Sequence, residues 1–285
     1  MSITSDRGRL VFQKTERALQ TLSSQQTAES VHGFRTASRR LQTLLEQLLP
    51  ERDHNQKKLL KMLNRIRRRA GKVRDLDVQL AALRSLKVPQ EPRRKTQFMH
   101  GLIELRGKHE KKLCKLLNKD DIRKVRRRLK RAAKEVPPEA GRDALQVARA
   151  MLNEVVRPAG PISEDVLHQY RTVMKRARYA AEFAPKSAEA SQFIAQLKKL
   201  QDVVGNWHDW LILTQTASKR LGDINQSSLV ALLHNVTGSK FRQAVTALSA
   251  SPTIRPVDAI PISGERSRNV STKSPTLVER IESAA

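Results

Sequence analysis

Two short runs carry residue types that could hold an anion. Val31-His32-x-x-Arg35-Thr36-x-x-Arg39-Arg40 reappears as Leu167-His168-x-x-Arg171-Thr172-x-x-Lys175-Arg176. Guanidinium groups grip phosphate oxygens bidentately, and ammonium groups act as point charges that follow a mobile anion. An imidazole, with an ordinary pKa of about 6.5, gains charge when an anion sits beside it. Each run leads into an apolar stretch that stops at a proline, Pro50 in one case and Pro185 in the other. A second pair follows in the same order. Leu63-x-x-Ile66 leading to Gly71-x-x-Arg74-Asp75 matches Leu197-x-x-Leu200 leading to Gly205-x-x-His208-Asp209. Two pattern elements at nearly equal separations mark an internal repeat, with halves over roughly 1–135 and 136–250.

The elements that must position these residues are helices. Apolar residues recur every three or four positions, good helix formers abound, and no period-two strand pattern stands between turns. The periodicity predicts helices over 8–25, 27–48, 55–70, 75–86, 92–118, 120–135, 139–157, 163–184, 188–204, 208–221 and 226–249. Gly71–Asp75 and Gly205–Asp209 read as helix–turn–helix junctions, in which glycine ends one helix and aspartate caps the next. Asp75 and Asp77 resemble a metal pair on spacing alone, but capping or pairing with Arg74 suits them better, because the second copy has only Asp209. From Ser251-Pro252 onward the chain turns to Pro, Ser, Thr and Arg without sustained periodicity, which predicts a disordered tail over 251–285 with a short helix near 276–283. The fold class is all-α.

At about 100° per residue, His32, Arg35 and Arg39 share one helix face. Phe34, Leu41, Leu45 and Leu48 occupy the opposite face, with Leu44 at its edge. In the second copy His168, Arg171, Lys175, Arg178 and Tyr179 lie together, opposite Tyr170, Met174, Ala177 and Ala181. Any amphipathic surface helix opposes charge to an apolar stripe. A solvated face, however, does not require His, Arg and a second base at fixed steps in both halves. Nine of the 18 residues from 57 to 74 are Lys or Arg and none is acidic, with Arg65, Arg68 and Lys72 at i, i+3 and i+7. The segment after Pro185 is less basic and retains mainly Lys198 and Lys199, so the expected site is asymmetric in charge. Residues 122–134 hold eight bases in 13 without a repeat partner and read as accessory or solvated.

Composition agrees with an anionic partner. Among 285 residues, 55 Lys and Arg face 28 Asp and Glu, a formal net charge of +27. Such an excess repels itself in a compact fold, which makes a polyanion the natural counterpart. The single cysteine, Cys114, excludes a disulfide framework and a thiolate metal cluster. No apolar signal core opens the chain, and no run nears the roughly 18 apolar residues of a membrane span. These features describe a soluble, reduced, cytosolic protein.

The paired H-x-x-R-x-x-x-[RK]-R segments resemble the CHAD domain, a histidine-containing α-helical family. So do K-R-x-R-Y-x-x-E-F at 175–183, L-Q-x-x-x-G-x-x-x-D at 200–209 and R-D-L-D-V at 74–78. The likeness covers residues 8–220 and extends toward 250. It implies two similar helical bundles related by pseudo-twofold symmetry, with a basic cavity or groove between them. It also implies binding of inorganic polyphosphate, at polyphosphate granules in some members. By motif position, His32, Arg35, Arg39 and Arg40 would line one side, and His168, Arg171, Lys175, Arg176 and Arg178 the other. Arg65, Arg68, Lys72, Tyr179, Lys198 and Lys199 complete the candidate phosphate-binding set. The chain departs from the family at Trp207-His208, where relatives often carry a smaller polar pair.

Two other functions compete. An RNA- or DNA-binding protein would share the charge but calls for a recognised module or aromatic stacking platforms. Two Trp, two Tyr and six Phe, mostly on apolar faces, provide few platforms. An enzyme would need catalytic motifs. The E-x-E-x-K strand of the triphosphate-hydrolysing CYTH domain, often joined to CHAD domains, does not occur, nor does a Walker loop, a Ser-His-Asp arrangement or a metal-spaced His cluster. The expectation is a binding protein without cofactor or catalytic residues.

Overall fold

A computed structural model describes residues 5–49, 51–135, 142–155 and 161–251. Among them are nine helices and no strand: α1 (Ser5–Ser24), α2 (Ala28–Thr43), α3 (His54–Ser85), α4 (Pro92–Cys114), α5 (Lys119–Lys134), α6 (Ala144–Asn153), α7 (Glu164–Ala181), α8 (Ala188–Leu221) and α9 (Ser228–Ser249). A π-helical turn over Leu44–Leu48 extends α2. The all-α expectation holds. Most helix starts carry a side-chain cap that satisfies a free backbone amide. Thr27 accepts from Ser30, Asp53 from Gln56, Ser163 from Val166 and Ser187 from Ala190. Of the predicted tail only Ser251 is described, so its disorder and its short helix lie outside the described residues, as do the ends of the predicted 139–157 helix.

Two junctions differ from expectation. The segments 55–70 and 75–86 form one helix, α3, and 188–204 and 208–221 form another, α8. Neither Gly71 nor Gly205 adopts a left-handed backbone. Among the described residues the glycine with a positive φ is Gly222, at 91°, where it terminates α8. Asp75 and Asp209 are therefore mid-helix residues rather than caps. A single glycine lowers helix propensity by about 1 kcal/mol, and burial on both sides of it outweighs that cost.

The apolar stripes pack as their spacing requires. Phe34, Leu41, Leu44, Leu45 and Leu48 of the first copy are fully buried, as are Met174 and Ala177 of the second. One buried cluster joins α1, α2, α5, α6 and α7 to the first parts of α3 and α8, as far as Val73 and Trp207, and takes in Leu113 near the end of α4 and Ala244 and Leu248 near the end of α9. The other begins at Leu76 and Leu213 and joins the second parts of those helices to α4 and α9. Neither cluster follows the boundary between the sequence halves. Within the repeat, α2 packs on α3 as α7 packs on α8, and across it α2 meets α7 and α3 meets α8. Running about 48 and 51 Å at 1.5 Å per residue, α3 and α8 thread both clusters. The interval between the clusters falls at or just after 71–75 and 205–209, whose sequence predicts turns.

This continuity has a direct test. Space for a Cβ at Gly205 is open within 4 Å. Gly205→Ala should stabilise the protein by about 0.5–1 kcal/mol and raise Tm by about 2–4 °C in a thermal melt. A lowered Tm would restore the turn.

Candidate anion-binding cavity

Between the two core clusters lies a cavity of about 510 Å³. From α2 come His32, Arg35, Thr36 and Arg39, and from α3 come Lys72, Arg74, Asp75, Val78 and Gln79. The second half of the chain contributes Arg171, Lys175 and Tyr179 from α7, and His208, Asp209 and Ile212 from α8. The repeated His/Arg helix and its following helix thus meet their counterparts around one space. Six Lys and Arg side chains face two carboxylates there.

Arg35 shows why Gly71 is glycine. Its Nη1 donates to the carbonyl oxygen of Arg67 at 3.2 Å, and the guanidinium lies against the α3 backbone where a Cβ on residue 71 would collide with it. The cation is thus held by a helix backbone rather than by a carboxylate. Burial, only partly offset by Asp75 and aggravated by Arg39, Arg74 and Arg171, depresses the Arg35 pKa. Arg67 behind it is driven down to about 10 by burial and by Arg39 and Arg35. Across the cavity, burial likewise lowers Arg171, whose nearest acid is Asp209, with Nη2 to Oδ1 at 4.0 Å.

Lys175 feels this environment most. Burial, then Arg171 and Arg39, bring its ammonium from 10.5 down to about 7, against the opposing pull of Asp209. His208 falls to about 3 through burial and the charges of Arg171, His168 and Lys175, so its ring is neutral near pH 7. His32 is lowered as well, by partial burial and then by Arg74, Arg35 and Lys175. Burial raises the Asp209 carboxyl against the pull of Arg171, Lys175 and Arg74. Among the described residues, Arg171 Nε, His208 Nδ1 and Gln79 Oε1 are buried without a hydrogen-bond partner. Unpaired buried polar atoms are uncommon in folded proteins, and three on side chains of α3, α7 and α8 around one cavity mark a surface prepared for a polar guest.

Of the candidate residues, the cavity gathers His32, Arg35, Arg39, Lys72, Arg171, Lys175 and Tyr179. The others lie elsewhere. Arg40 Nε donates to Glu182 Oε2 at 2.6 Å, and Arg178 Nη1 donates to Glu182 Oε1 at 2.5 Å, so one carboxylate ties α2 to the end of α7. Both guanidinium groups also lie over the Tyr179 ring, at 5.8 and 4.7 Å. Arg178 Nε donates to Gln201, whose amide in turn donates to the Met174 carbonyl. His168 is exposed and approaches the His208 ring at 5.3 Å without lining the cavity. Arg176, Lys198 and Lys199 are exposed, and Arg65 and Arg68 face a different cavity. Arg74, Asp75, His208 and Asp209 lie outside the candidate phosphate-binding set because their sequence signature is that of a turn, and Gln79, in the predicted 75–86 helix, lies outside it as well. The 122–134 bases are largely engaged with neighbours, Arg126 with Glu16, Arg123 with Asp120 and Arg131 with Glu135.

Comparison with known proteins agrees with this architecture. The family model of the CHAD domain matches residues 9–218. The chain is similar in structure to the CHAD domain from the plant Ricinus communis, at 15% identity and a TM-score of 0.61, covering 88% of this chain and 93% of that one. It is also similar to PptA from Streptomyces chartreusis, at 17% identity and a TM-score of 0.63, covering 86% and 98%. Among curated proteins none matches the chain. The chain belongs to the CHAD domain family, which is associated with polyphosphate and triphosphate.

Gly71→Ala separates the cavity from the fold. Alanine gains up to about 1 kcal/mol of helix propensity while its methyl displaces the Arg35 guanidinium from its place against α3. A melt should show unchanged or raised Tm. Anion affinity, read by calorimetry, should drop, and equal affinity would remove Arg35 from the site.

Proposed function

We propose that this CHAD-domain protein binds inorganic polyphosphate in the cavity between α2, α3, α7 and α8, and that it binds without catalysing a reaction. The observation that carries this reading is the gathering of Arg35, Arg39, Lys72, Arg74, Arg171 and Lys175 around one cavity with only Asp75 and Asp209 in opposition. Polyphosphate carries about one negative charge per phosphate and no base to stack, so repeated Arg and Lys positions suit it better than aromatic platforms. The guanidinium groups would grip oxygens bidentately, Lys72 and Lys175 would supply point charges, and the neutral His208 ring a directed hydrogen bond. Asp75 and Asp209 moderate repulsion while the cavity holds no anion. Family membership adds to this reading, and residence at polyphosphate granules would follow from it. No helix among the described residues is long and apolar enough to cross a membrane.

Binding should weaken steeply with salt. If the six cations each meet a phosphate, the slope of log affinity against log salt should lie near about −4, by analogy with single-stranded nucleic acids. Single- or double-stranded nucleic acid at equal phosphate concentration should displace polyphosphate poorly, and efficient displacement would favour nucleic-acid binding instead. Incubation of labelled polyphosphate with the protein and Mg²⁺ should leave it intact. Release of orthophosphate would make the protein an enzyme.

Proton linkage offers an independent check. With Lys175 near 7 in the free cavity, an anion beside it must raise that value, so binding above pH 7 takes up a proton. Affinity should therefore fall as pH rises from 7 to 9. Calorimetry in buffers of different ionisation enthalpy should show the uptake at pH 8, and Lys175→Met should abolish it. For the free protein the sign reverses. The unfolded chain binds more protons between pH 7 and 10.5, so stability contributed by this group increases over that window.

A further inference from the structure

A second cationic cavity, of about 1070 Å³, lies between α3 and the end of α4. It is lined by five Lys or Arg of α3 from Lys61 to Lys72, with Lys112 and Lys115 opposite them over a floor that includes Met62 and Leu116. No acidic residue lines it. Among the described residues none of these seven cations is in an ion pair, whereas arginines of α5 meet Glu16, Asp120 and Glu135. His109, behind the groove, is lowered by burial and by Lys112, Lys72 and Arg69, and its Nδ1 is buried without a partner. One residue belongs to both sites. Lys72 lines this groove and the central cavity alike.

We infer that the α3–α4 groove is an extension site in which a polyphosphate chain held in the central cavity continues past Lys72 and is gripped by the α3 cations. From Lys61 to Lys72 the track runs about 16 Å along the helix. Its bases recur at the three- and four-residue steps that keep one face, so successive phosphates meet successive cations. Lys and Arg stems cover the apolar floor while their charged ends stay free for the chain. This proposal rests on the polyphosphate reading of the central cavity, and its consequence is chain-length dependence. A short oligophosphate fills the cavity alone, while a long chain occupies both.

Arg65, Arg68 and Lys115 are exposed, so replacing them together with Gln leaves the packed core intact. Affinities for tripolyphosphate, long-chain polyphosphate and single-stranded RNA should be measured for the native protein, this groove variant and a cavity variant, Arg35→Gln with Arg171→Gln. The groove variant should lose about tenfold for the long chain and less than about twofold for tripolyphosphate, because exposed ionic contacts are individually weak. Unchanged long-chain affinity overturns the extension site and leaves the cavity reading standing. An equal loss at both lengths also overturns it, because the groove would then be no extension. A loss confined to single-stranded RNA, with polyphosphate unaffected, overturns it in favour of a nucleic-acid surface. Failure of the cavity reading shows separately, as native tripolyphosphate affinity in the cavity variant.

Discussion

Repulsion among like charges is the constraint around which the molecule is arranged. Arg35, Arg39, Lys72, Arg74, Arg171 and Lys175 share a cavity of about 510 Å³ with two carboxylates. Each relieves the others differently. Arg35 rests on a backbone carbonyl, Lys175 sits near 7 and sheds much of its charge, and Asp209 stands at the outer limit of an ion pair with Arg171. None of these arrangements ties a cavity cation to a short carboxylate contact. Removing such a partner to admit a ligand would leave a buried acid uncompensated, a costly exchange. Elsewhere the chain does the opposite. Glu182 takes both Arg40 and Arg178, and Asp77 and Glu110 take Arg106. The acids are placed where arginines hold the fold together, and the cavity cations stay available.

The two long helices make that distribution rigid. Both α3 and α8 are anchored in one apolar cluster before the cavity and in the other after it. A polar segment at the end of a helix could bend away from its neighbours. One clamped on both sides cannot, so the packing of α3 and α8 alone fixes the places of Arg74, Asp75, His208 and Asp209. Preorganisation of this kind removes much of the ordering cost of binding. Gly71 belongs to the same economy of space, since its missing side chain is what lets Arg35 lie flat on α3.

Much of this was legible in the residues and some was not. The repeated His-x-x-Arg runs, the opposed apolar stripes and the all-α class came from local periodicity, which a helix obeys whatever its surroundings. Phe34, Leu41, Met174 and Ala177 are buried as their spacing required. Helix continuity through Gly71 and Gly205 was hidden, because a glycine followed by an aspartate is the ordinary sign of a turn. What overrides it is packing on both sides, a long-range property. For the same reason periodicity could show that Arg40 and Arg178 sit on cationic faces but not that Glu182 claims them. His208, next to the buried Trp207, looked like a junction residue for want of the third dimension.

The Arg40–Glu182 contact spans 142 residues, and this separation sets an order of events in the making of the protein. At about 5–20 residues per second, roughly seven to thirty seconds separate the synthesis of the two partners. Through that interval the first half carries Arg35, Arg39 and the 57–74 bases with neither Glu182 nor Asp209 yet made. A nascent polycation beside the RNA of its own ribosome is open to any polyanion within reach. Only when α7 and α8 arrive can the four walls of the cavity close. The cavity is thus a joint product of two segments made well apart in time.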